Sequence, residues 1–184
     1  MRSLISGGVF ATLIAGSALA SGLQIEVAGE ANGTITIDLL EDVAPQHAAR
    51  MTELAKAGKY DGVVFHRVID GFMAQTGDVQ HGTDPSNLRR AGTGGSYMAD
   101  LPAEFSDVSF DKGVVGMARS QSPDSANSQF FIMLDAGHFL NGQYTVVGRV
   151  TDGQDVVDAI KRGTGGDGAI EGTPDMMKTV TVID

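Results

Sequence analysis

The chain of 184 residues is 42% hydrophobic and 20% charged, with a mean hydropathy near zero, which fits one ordinary globular domain with a full core. Its 13 basic and 23 acidic side chains disfavour nucleic acid and anionic membranes as partners, because both require neutralisation by Lys or Arg. The absence of cysteine excludes disulfides and thiolate chemistry.

The first 20 residues differ in composition from the rest of the chain. Arg2 precedes an apolar run from Val9 to Ala15, and small residues flank Leu19 in an A-x-A pattern that ends at Ala20. These features are typical of a secretory signal. We therefore interpret residues 1–20 as a signal peptide that is cleaved after Ala20.

Cleavage leaves a single domain of residues 21–184 in the periplasm or outside the cell. The alternative, a membrane anchor, is disfavoured because glycine and serine interrupt the run, which is shorter than the roughly 20 apolar residues that span a bilayer. Loss of Arg2 leaves 12 basic against 23 acidic side chains, a formal charge of −11. We expect a soluble periplasmic domain with no membrane contact after cleavage.

Short apolar stretches divided by glycine turns follow, with only two predicted helices. The first helix begins at Pro45 and ends at Gly58, and the second runs from Asp152 as its N-cap to Gly163 as its stop. Stretches rich in Val, Ile and Phe predict strands. They are GTITIDLL (33–40), VVFHRVI (63–69), GFMAQTGD (71–78), FDKGVVGMA (110–118), SQFFIML (128–134), YTVVGRV (144–150) and KTVTVID (178–184).

About eight strands with helices at only two places predict a mainly β fold. We expect a closed eight-stranded antiparallel barrel capped by two α-helices, since closure removes exposed strand edges. An α/β parallel sheet would need helices between most strands. The polar, glycine-rich segment from Val79 to Pro102 is predicted to be a long functional surface loop.

Most familiar catalytic motifs are absent from the sequence. There is no G-x-G-x-x-G after a strand, no phosphate loop, no H-E-x-x-H and no G-x-S-x-G. The four histidines, at positions 47, 66, 81 and 138, stand singly without the spacing of metal ligands. We expect neither a metal site nor a cofactor.

Three stretches combine apolar residues with uncharged hydrogen-bonding groups: FHRVIDGFMAQTGD (65–78), GMARSQSPDSANSQFFIML (116–134) and HFLNGQYTVVGRV (138–150). Strand alternation predicts that Phe65 and Arg67 share one face, which would let Arg67 project from a barrel wall beside Phe131 and Leu140. The alternative for any one of the apolar residues is a place in the plain core.

Together these stretches resemble the cyclophilin family of peptidyl-prolyl isomerases. The motifs FHRVI.GFM.Q.GD and NSQFFI, GTGG at Gly92 and VVGRV at Val146 carry the resemblance, which extends from about Gly33 to the C-terminus. The family's fold is an eight-stranded antiparallel barrel with two helices. The resemblance therefore implies the architecture that the strand and helix patterns predict.

The resemblance also implies a role for individual residues. Arg67 would be the catalytic arginine, and Gln75 would orient it and the substrate carbonyl. The prolyl ring would bind Phe72, Met73, Phe131 and Leu140. Ala118, Arg119, acting mainly through its backbone, and Ser120 would lie along the residue before proline. Gln129 would border the groove, and Gly92 would shape the neighbouring loop. Two positions depart from many eukaryotic members, with Phe139 in place of tryptophan and Tyr144 in place of histidine. The first departure puts cyclosporin affinity in doubt, because a phenyl ring cannot donate a hydrogen bond.

The implied activity is acceleration of rotation about X-Pro bonds in exported proteins. Its partners would be proline-containing polypeptides, and nothing in the sequence demands an oligomer, so we expect a monomer. One alternative is a prolyl-peptide binding module or periplasmic chaperone without turnover, although Arg67 and Gln75 favour an enzyme. A secreted β-barrel that binds sugars or lipids is less compatible with a chain that has no tryptophan and three tyrosines.

Overall fold

The computed structural model describes residues 21–84 and 88–184. The predicted signal peptide, residues 1–20, and residues 85–87 of the long loop lie outside the described residues. Within the described part of the chain, no helix is long and apolar enough to cross a bilayer.

Across the described residues, one antiparallel sheet of nine strands forms the body of the domain. The strands are β1 (Gly22–Ala28), β2 (Gly33–Leu39), β3 (Val63–Val64), β4 (Arg67–Ile69), β5 (Met73–Thr76), β6 (Val114–Met117), β7 (Phe130–Met133), β8 (Val146–Asp152) and β9 (Met176–Ile183). Their order across the sheet is β3-β9-β1-β2-β8-β6-β7-β5-β4. The prediction of a mainly β, antiparallel fold with two α-helices is confirmed.

The strand count and the closure differ from the predicted eight-stranded closed barrel. The segment predicted as one strand, 63–69, is divided into β3 and β4 by Phe65 and His66. β3 pairs with β9 and β4 pairs with β5, so the two ends of the sheet are consecutive pieces of one chain segment. The sheet therefore curls until its ends approach, but no ladder joins β3 to β4 among the described strands.

The first helix, α1 (Pro45–Lys56), agrees with the prediction. Pro45 stands at its start, where a missing N–H costs nothing, and the chain leaves the helix through Gly58 at a φ of +63°. Buried residues on one side, among them Met51 and Leu54, pack the helix on the core.

The second helix, α2 (Gln154–Ala159), is shorter than predicted and begins differently. Gly153, in a left-handed conformation, occupies the N-cap, so the expected cap by Asp152 is wrong. The helix ends before Gly163, because the backbone N–H of Lys161 does not continue the helical hydrogen bonds. It donates instead to Asp175 Oδ2 at 2.7 Å.

Strand β1 was not among the predicted strands. Its Leu23, Ile25 and Val27 alternate with more exposed residues and are all buried in the main core. β1 lies between β2 and β9, at the centre of one half of the sheet.

The two faces of the sheet carry separate apolar clusters. Val68, Ala74, Ile132 and Val115 lie side by side across four strands and belong to the main core, together with most of β1, β2 and α1. Neighbouring positions along a strand point to opposite faces. The opposite face therefore carries the second cluster, which contains Met73, Phe110, Val114, Phe131, Met133, Leu140 and Val146.

Candidate active site

A row of paired residues crosses the sheet on the face of the second cluster. Arg67 on β4 pairs with Gln75 on β5, Gln75 with Phe131 on β7, and Phe131 with Gly116 on β6. Directly paired residues on antiparallel strands have their side chains adjacent on one face. The register of four strands thus brings the predicted arginine, amide and aromatic residue together.

An apolar cup of about 310 Å³ opens over this row. Ten residues line it: Arg67, Phe72, Met73, Gln75, Ala118, Arg119, Phe131, Phe139, Leu140 and Tyr144. All ten were predicted from the sequence. Met73, Phe131 and Leu140 are buried and form its base, whereas Phe139 is 65% exposed at the rim.

Aromatic contacts fix the shape of the cup. The Phe131 ring stacks on Phe110 at a centroid distance of 5.8 Å and meets the edge of Tyr144 at 5.8 Å. At the rim, Phe72 and Phe139 lie 5.3 Å apart. Gly116 makes the base possible, since a Cβ there would lie 2.4 Å from Phe131 Cζ. Neither Phe110 nor Gly116 was predicted as a site residue. Gly116 did carry a signal, because a glycine inside an apolar strand often marks a close approach of another group.

The Arg67 guanidinium is half-buried at the edge of the cup and is held by neutral acceptors. Its Nη1 donates to Gln75 Oε1 at 3.2 Å, and its Nε donates to the Asp167 carbonyl at 2.8 Å. Within residues 21–84 and 88–184 it forms no salt bridge, and Nη2 makes no hydrogen bond to the protein. The guanidinium is therefore held from two sides, while its Nη2 remains available to a ligand.

The expected sharing of a face by Phe65 and Arg67 is wrong. Phe65 and Val68 both lie in the main core, because the break between β3 and β4 resets the alternation. The second acceptor of Arg67 was also not foreseen. Asp167 lies in the segment 163–168, which contains a GTGG motif that predicts only a turn, and a backbone carbonyl gives no residue-type signal.

A second cavity of about 460 Å³ adjoins the cup and shares Gln75, Ala118 and Arg119 with it. The other predicted groove residues, Gly92, Ser120 and Gln129, line this second cavity and not the cup. Gln75 Nε2 donates to Gln129 Oε1 at 3.0 Å across the boundary. The predicted site residues therefore form two neighbouring subsites.

The Arg119 side chain has contacts of its own, beyond the expected backbone role. Its guanidinium lies 4.3 Å from the Tyr144 ring centroid, in a cation–π arrangement. Nη2 donates to the Gln143 carbonyl at 2.9 Å and Nη1 to the Ser120 carbonyl at 3.0 Å. These contacts tie the loop that carries Tyr144 to the wall between the two cavities.

Two titratable groups lie behind the site, the half-buried His66 and the buried Asp78. Both ring nitrogens of His66 are buried and make no hydrogen bond of good geometry to the described residues, and burial lowers the pKa of His66 from 6.5 to about 4. The Asp78 carboxylate opposes that change and the Arg67 charge adds to it. Burial by itself raises the pKa of Asp78, but four backbone N–H groups outweigh it and hold that pKa below its ordinary value.

No metal site was found in the described ranges, where no three His, Cys, Asp or Glu side chains cluster suitably. The chemistry that the arrangement offers is a charged hydrogen-bond donor beside an apolar cup. Such a donor can stabilise a developing lone pair on a bound group without a nucleophile or a titrating base.

Comparison with known proteins places this geometry in a family. Residues 23–182 match the family described as "Cyclophilin type peptidyl-prolyl cis-trans isomerase/CLD". The chain belongs to this family and is a peptidyl-prolyl cis-trans isomerase.

Curated relatives agree with the family assignment. The chain is 54% identical over 153 residues to a probable peptidyl-prolyl cis-trans isomerase of Brucella suis, covering 82% of this chain and 78% of the relative. It is 38% identical over 138 residues to a peptidyl-prolyl cis-trans isomerase of Streptomyces antibioticus, covering 70% and 78% respectively.

Solved structures show the same fold at low identity. A cyclophilin-type isomerase of Cryptosporidium parvum superposes with a TM-score of 0.74 at 22% identity, covering 90% of this chain and 99% of that one. The same protein solved in the presence of the dipeptide Ala-Pro gives a TM-score of 0.73 at 24% identity, with coverages of 89% and 99%.

Proposed function

We propose that Arg67 is the catalytic residue of the isomerase and that the cup holds the prolyl ring. The observation that carries this assignment is a guanidinium held by two neutral acceptors at the rim of the cup, whose Nη2 makes no hydrogen bond within the described residues. A core arginine would be neutralised by a carboxylate, and no described carboxylate forms a salt bridge with Arg67.

The chemistry of the X-Pro bond explains why this arrangement suits catalysis. The trans isomer is favoured by only about 0.5–1 kcal/mol, but rotation crosses a barrier of about 18–20 kcal/mol because the C–N bond is partly double. Twisting removes conjugation and returns a lone pair to the imide nitrogen. A fixed cationic donor binds that twisted state more strongly than either planar isomer, which lowers the barrier.

The remaining site residues take supporting roles in this proposal. Phe72, Met73, Phe131 and Leu140 grip the prolyl ring, and the exclusion of water by the cup strengthens the guanidinium contact. Gln75 holds Arg67 in place through Nη1. The residues before proline run past Ala118 and Arg119 into the second cavity, where Gly92, Ser120 and Gln129 lie. The Ala-Pro dipeptide present with the Cryptosporidium parvum protein supports proline-containing polypeptides as the substrates.

Arg67→Ala and Arg67→Lys test the assignment in an isomer-specific protease-coupled assay on tetrapeptides. We expect both variants to fold, Arg67→Ala to lose about 100-fold or more in kcat/KM, and Arg67→Lys to be impaired because lysine lacks the planar fork. Arg149→Ala, on an exposed position of β8, is the matched control and should retain activity. Near wild-type turnover by Arg67→Ala would refute the assignment of Arg67 as the catalytic residue.

We further propose that the enzyme acts on exported proteins. The support is the charged start, apolar run and A-x-A pattern of residues 1–20. Expression of the full chain in a Gram-negative host, fractionation and intact-mass analysis would test it. The expected product is a periplasmic, monomeric protein that begins at Ser21. A cytoplasmic product that retains residues 1–20 would refute the export proposal and leave the catalytic one intact.

A further inference from the structure

A continuous chain of hydrogen bonds leads away from the catalytic arginine. Arg67 Nη1 donates to Gln75 Oε1, and Gln75 Nε2 donates to Gln129 Oε1 at 3.0 Å. Gln129 Nε2 then donates to the carbonyls of Gly92 and Gly94, at 3.1 and 2.8 Å. Two side-chain amides thus connect the guanidinium to the backbone of the 92–94 loop.

The two ends of this chain permit only one orientation of both amides. A guanidinium can only donate, so it requires the oxygen of Gln75; backbone carbonyls can only accept, so they require the nitrogen of Gln129. With both ends fixed, Gln75 Nε2 must meet Gln129 Oε1. If the loop carbonyls moved away, Gln129 could rotate by half a turn, and Gln75 could follow and present its NH2 group to Arg67.

A single buried carboxylate holds the loop carbonyls in position. Asp78 is fully buried, and its Oδ2 accepts from Gly92 N at 2.7 Å and from Gly94 N at 2.9 Å. Its Oδ1 accepts from Gln80 N at 3.0 Å and His81 N at 2.9 Å. His81 Nδ1 lies 3.9 Å from Oδ2, and no Lys or Arg in the described ranges pairs with this carboxylate.

Close contacts with Asp78 and His66 explain the glycines at positions 94 and 92 of the loop. A Cβ at Gly94 would lie 2.6 Å from Asp78 Oδ1, so a larger residue would push the loop off the carboxylate. Gly92 has a φ of +94°, and a Cβ there would lie 2.8 Å from His66 Cδ2. The motif GTGG therefore lets the backbone approach both buried side chains.

We propose that Asp78 is a positioning residue for catalysis, which acts on Arg67 through the 92–94 loop, Gln129 and Gln75. This inference rests on the proposed catalytic role of Arg67. A carboxylate is required at this position because all four of its backbone partners are donors, and only a group without N–H can accept from all of them. An amide of the same shape would turn an NH2 group toward two of those donors.

Asp78→Asn tests the proposal, with Asp175→Asn as the matched control. Asp175 is also a buried aspartate that accepts two backbone N–H groups, from Ala31 and Lys161, but within the described residues its carboxylate makes no hydrogen bond to the amide chain. Both variants should lose stability, so both are assayed at a temperature where circular dichroism shows each fully folded. We expect kcat to fall about tenfold or more in Asp78→Asn with KM little changed, and Asp175→Asn to stay within about twofold of wild type.

A double-mutant cycle with Gln129→Met identifies the route of the effect. Because Gln129→Met already interrupts the chain, adding Asp78→Asn should change kcat less than about twofold further. The side-chain amide NMR signals of Gln75 should shift in Asp78→Asn and not in Asp175→Asn. Multiplicative effects in the cycle, an unchanged Gln75 signal, or equal activity of the two aspartate variants would each overturn the proposal.

Gly94→Ala keeps the proposal testable if Asp78→Asn does not fold. Its Cβ displaces the loop while the carboxylate remains, so it should reproduce both the loss of kcat and the shifted Gln75 signal. Wild-type kcat in a folded Gly94→Ala would overturn the inference.

Arg67→Ala is measured in parallel to separate the inference from the catalytic assignment. If Arg67→Ala is inactive while Asp78→Asn is fully active, only the inference fails. If Arg67→Ala is fully active, the catalytic assignment itself fails.

Discussion

His66 should make the stability of the domain depend on pH between about 4 and 6.5. Its pKa is lowered by burial from 6.5 to about 4 in the folded protein, where neither ring nitrogen has a well-formed hydrogen bond to the part of the chain that the structure describes. The unfolded chain therefore binds a proton over this range that the folded chain does not bind. The contribution of the neutral ring to the free energy of unfolding is fully present above pH 6.5 and is lost as the pH falls toward 4.

The magnitude follows from the two pKa values. At about 1.36 kcal/mol per pH unit, the interval from 6.5 to about 4 corresponds to a loss of about 3 kcal/mol in the free energy of unfolding. This is a large part of the stability of a typical domain, about 5–15 kcal/mol. The histidine thus limits the acid tolerance of the protein well before carboxylates such as Asp78 are protonated.

Urea unfolding at 25 °C and constant ionic strength, at pH values from 4 to 7, measures this dependence. His66→Leu removes the titrating group and fills similar space beside Gly92, so the difference between wild type and variant should change by about 3 kcal/mol across the range. Substitution of the exposed His138 by Asn is the control and should leave the His66 contribution in place. Parallel curves for wild type and His66→Leu would refute the reasoning.

Three further changes probe the cup, a helix end and the rim. Gly116→Ala should lower the free energy of unfolding by about 1–3 kcal/mol and lower kcat/KM, because its Cβ would collide with Phe131 at the base of the cup. Unchanged stability in urea unfolding together with unchanged kcat/KM would contradict this. Glu104→Ala should cost about 1–2 kcal/mol at pH 7, since Glu104 accepts from Gln46 N, His47 N and His47 Nδ1 at the start of α1. Burial raises the pKa of Glu104, but these hydrogen bonds outweigh it and lower that pKa, so this contribution should fade in urea titrations below pH 4.5. Phe139→Trp adds one indole N–H donor, so in titration calorimetry the variant should bind cyclosporin about tenfold more tightly than the wild type. Equal affinities of the variant and the wild type would show that the indole donor does not contribute to binding.

The parts of the fold that depend on local pattern could be predicted from the sequence. The seven predicted stretches rich in Val, Ile and Phe overlap eight of the nine strands in the described residues, β2 to β9, and Pro45 and Gly58 bounded α1. β1 was missed although Leu23, Ile25 and Val27 alternate clearly, so that signal was available. The break at Phe65 and His66 could not be predicted, since residues 63–69 contain no glycine or proline that would indicate the end of a strand.

The features that tertiary contacts decide could not be predicted. α2 ends where Asp175, 14 residues away in sequence, takes the N–H of Lys161. Gly163 is required for a close approach, since a Cβ there would lie 2.0 Å from the Gly168 carbonyl oxygen, and not as the end of a helix. The Asp167 carbonyl that holds Arg67 lies 100 residues from it, and any residue type supplies such a carbonyl.

The candidate site was more predictable than the fold around it. The side chains that line the cup are of types that its proposed chemistry requires, and the sheet register places Arg67, Gln75 and Phe131 in one row. The division of the predicted set into two cavities was not visible, because Gln75, Ala118 and Arg119 line both of them.

The most direct test of the central claim compares binding with turnover in Arg67→Ala. Titration of a proline peptide followed by NMR gives its dissociation constant, and exchange spectroscopy on the same samples gives the cis-trans rate. Because the guanidinium is proposed to favour the twisted imide over both planar isomers, the rate should fall about 100-fold or more while the dissociation constant changes less than about threefold. A parallel loss of affinity and rate would contradict selective stabilisation of the twisted state.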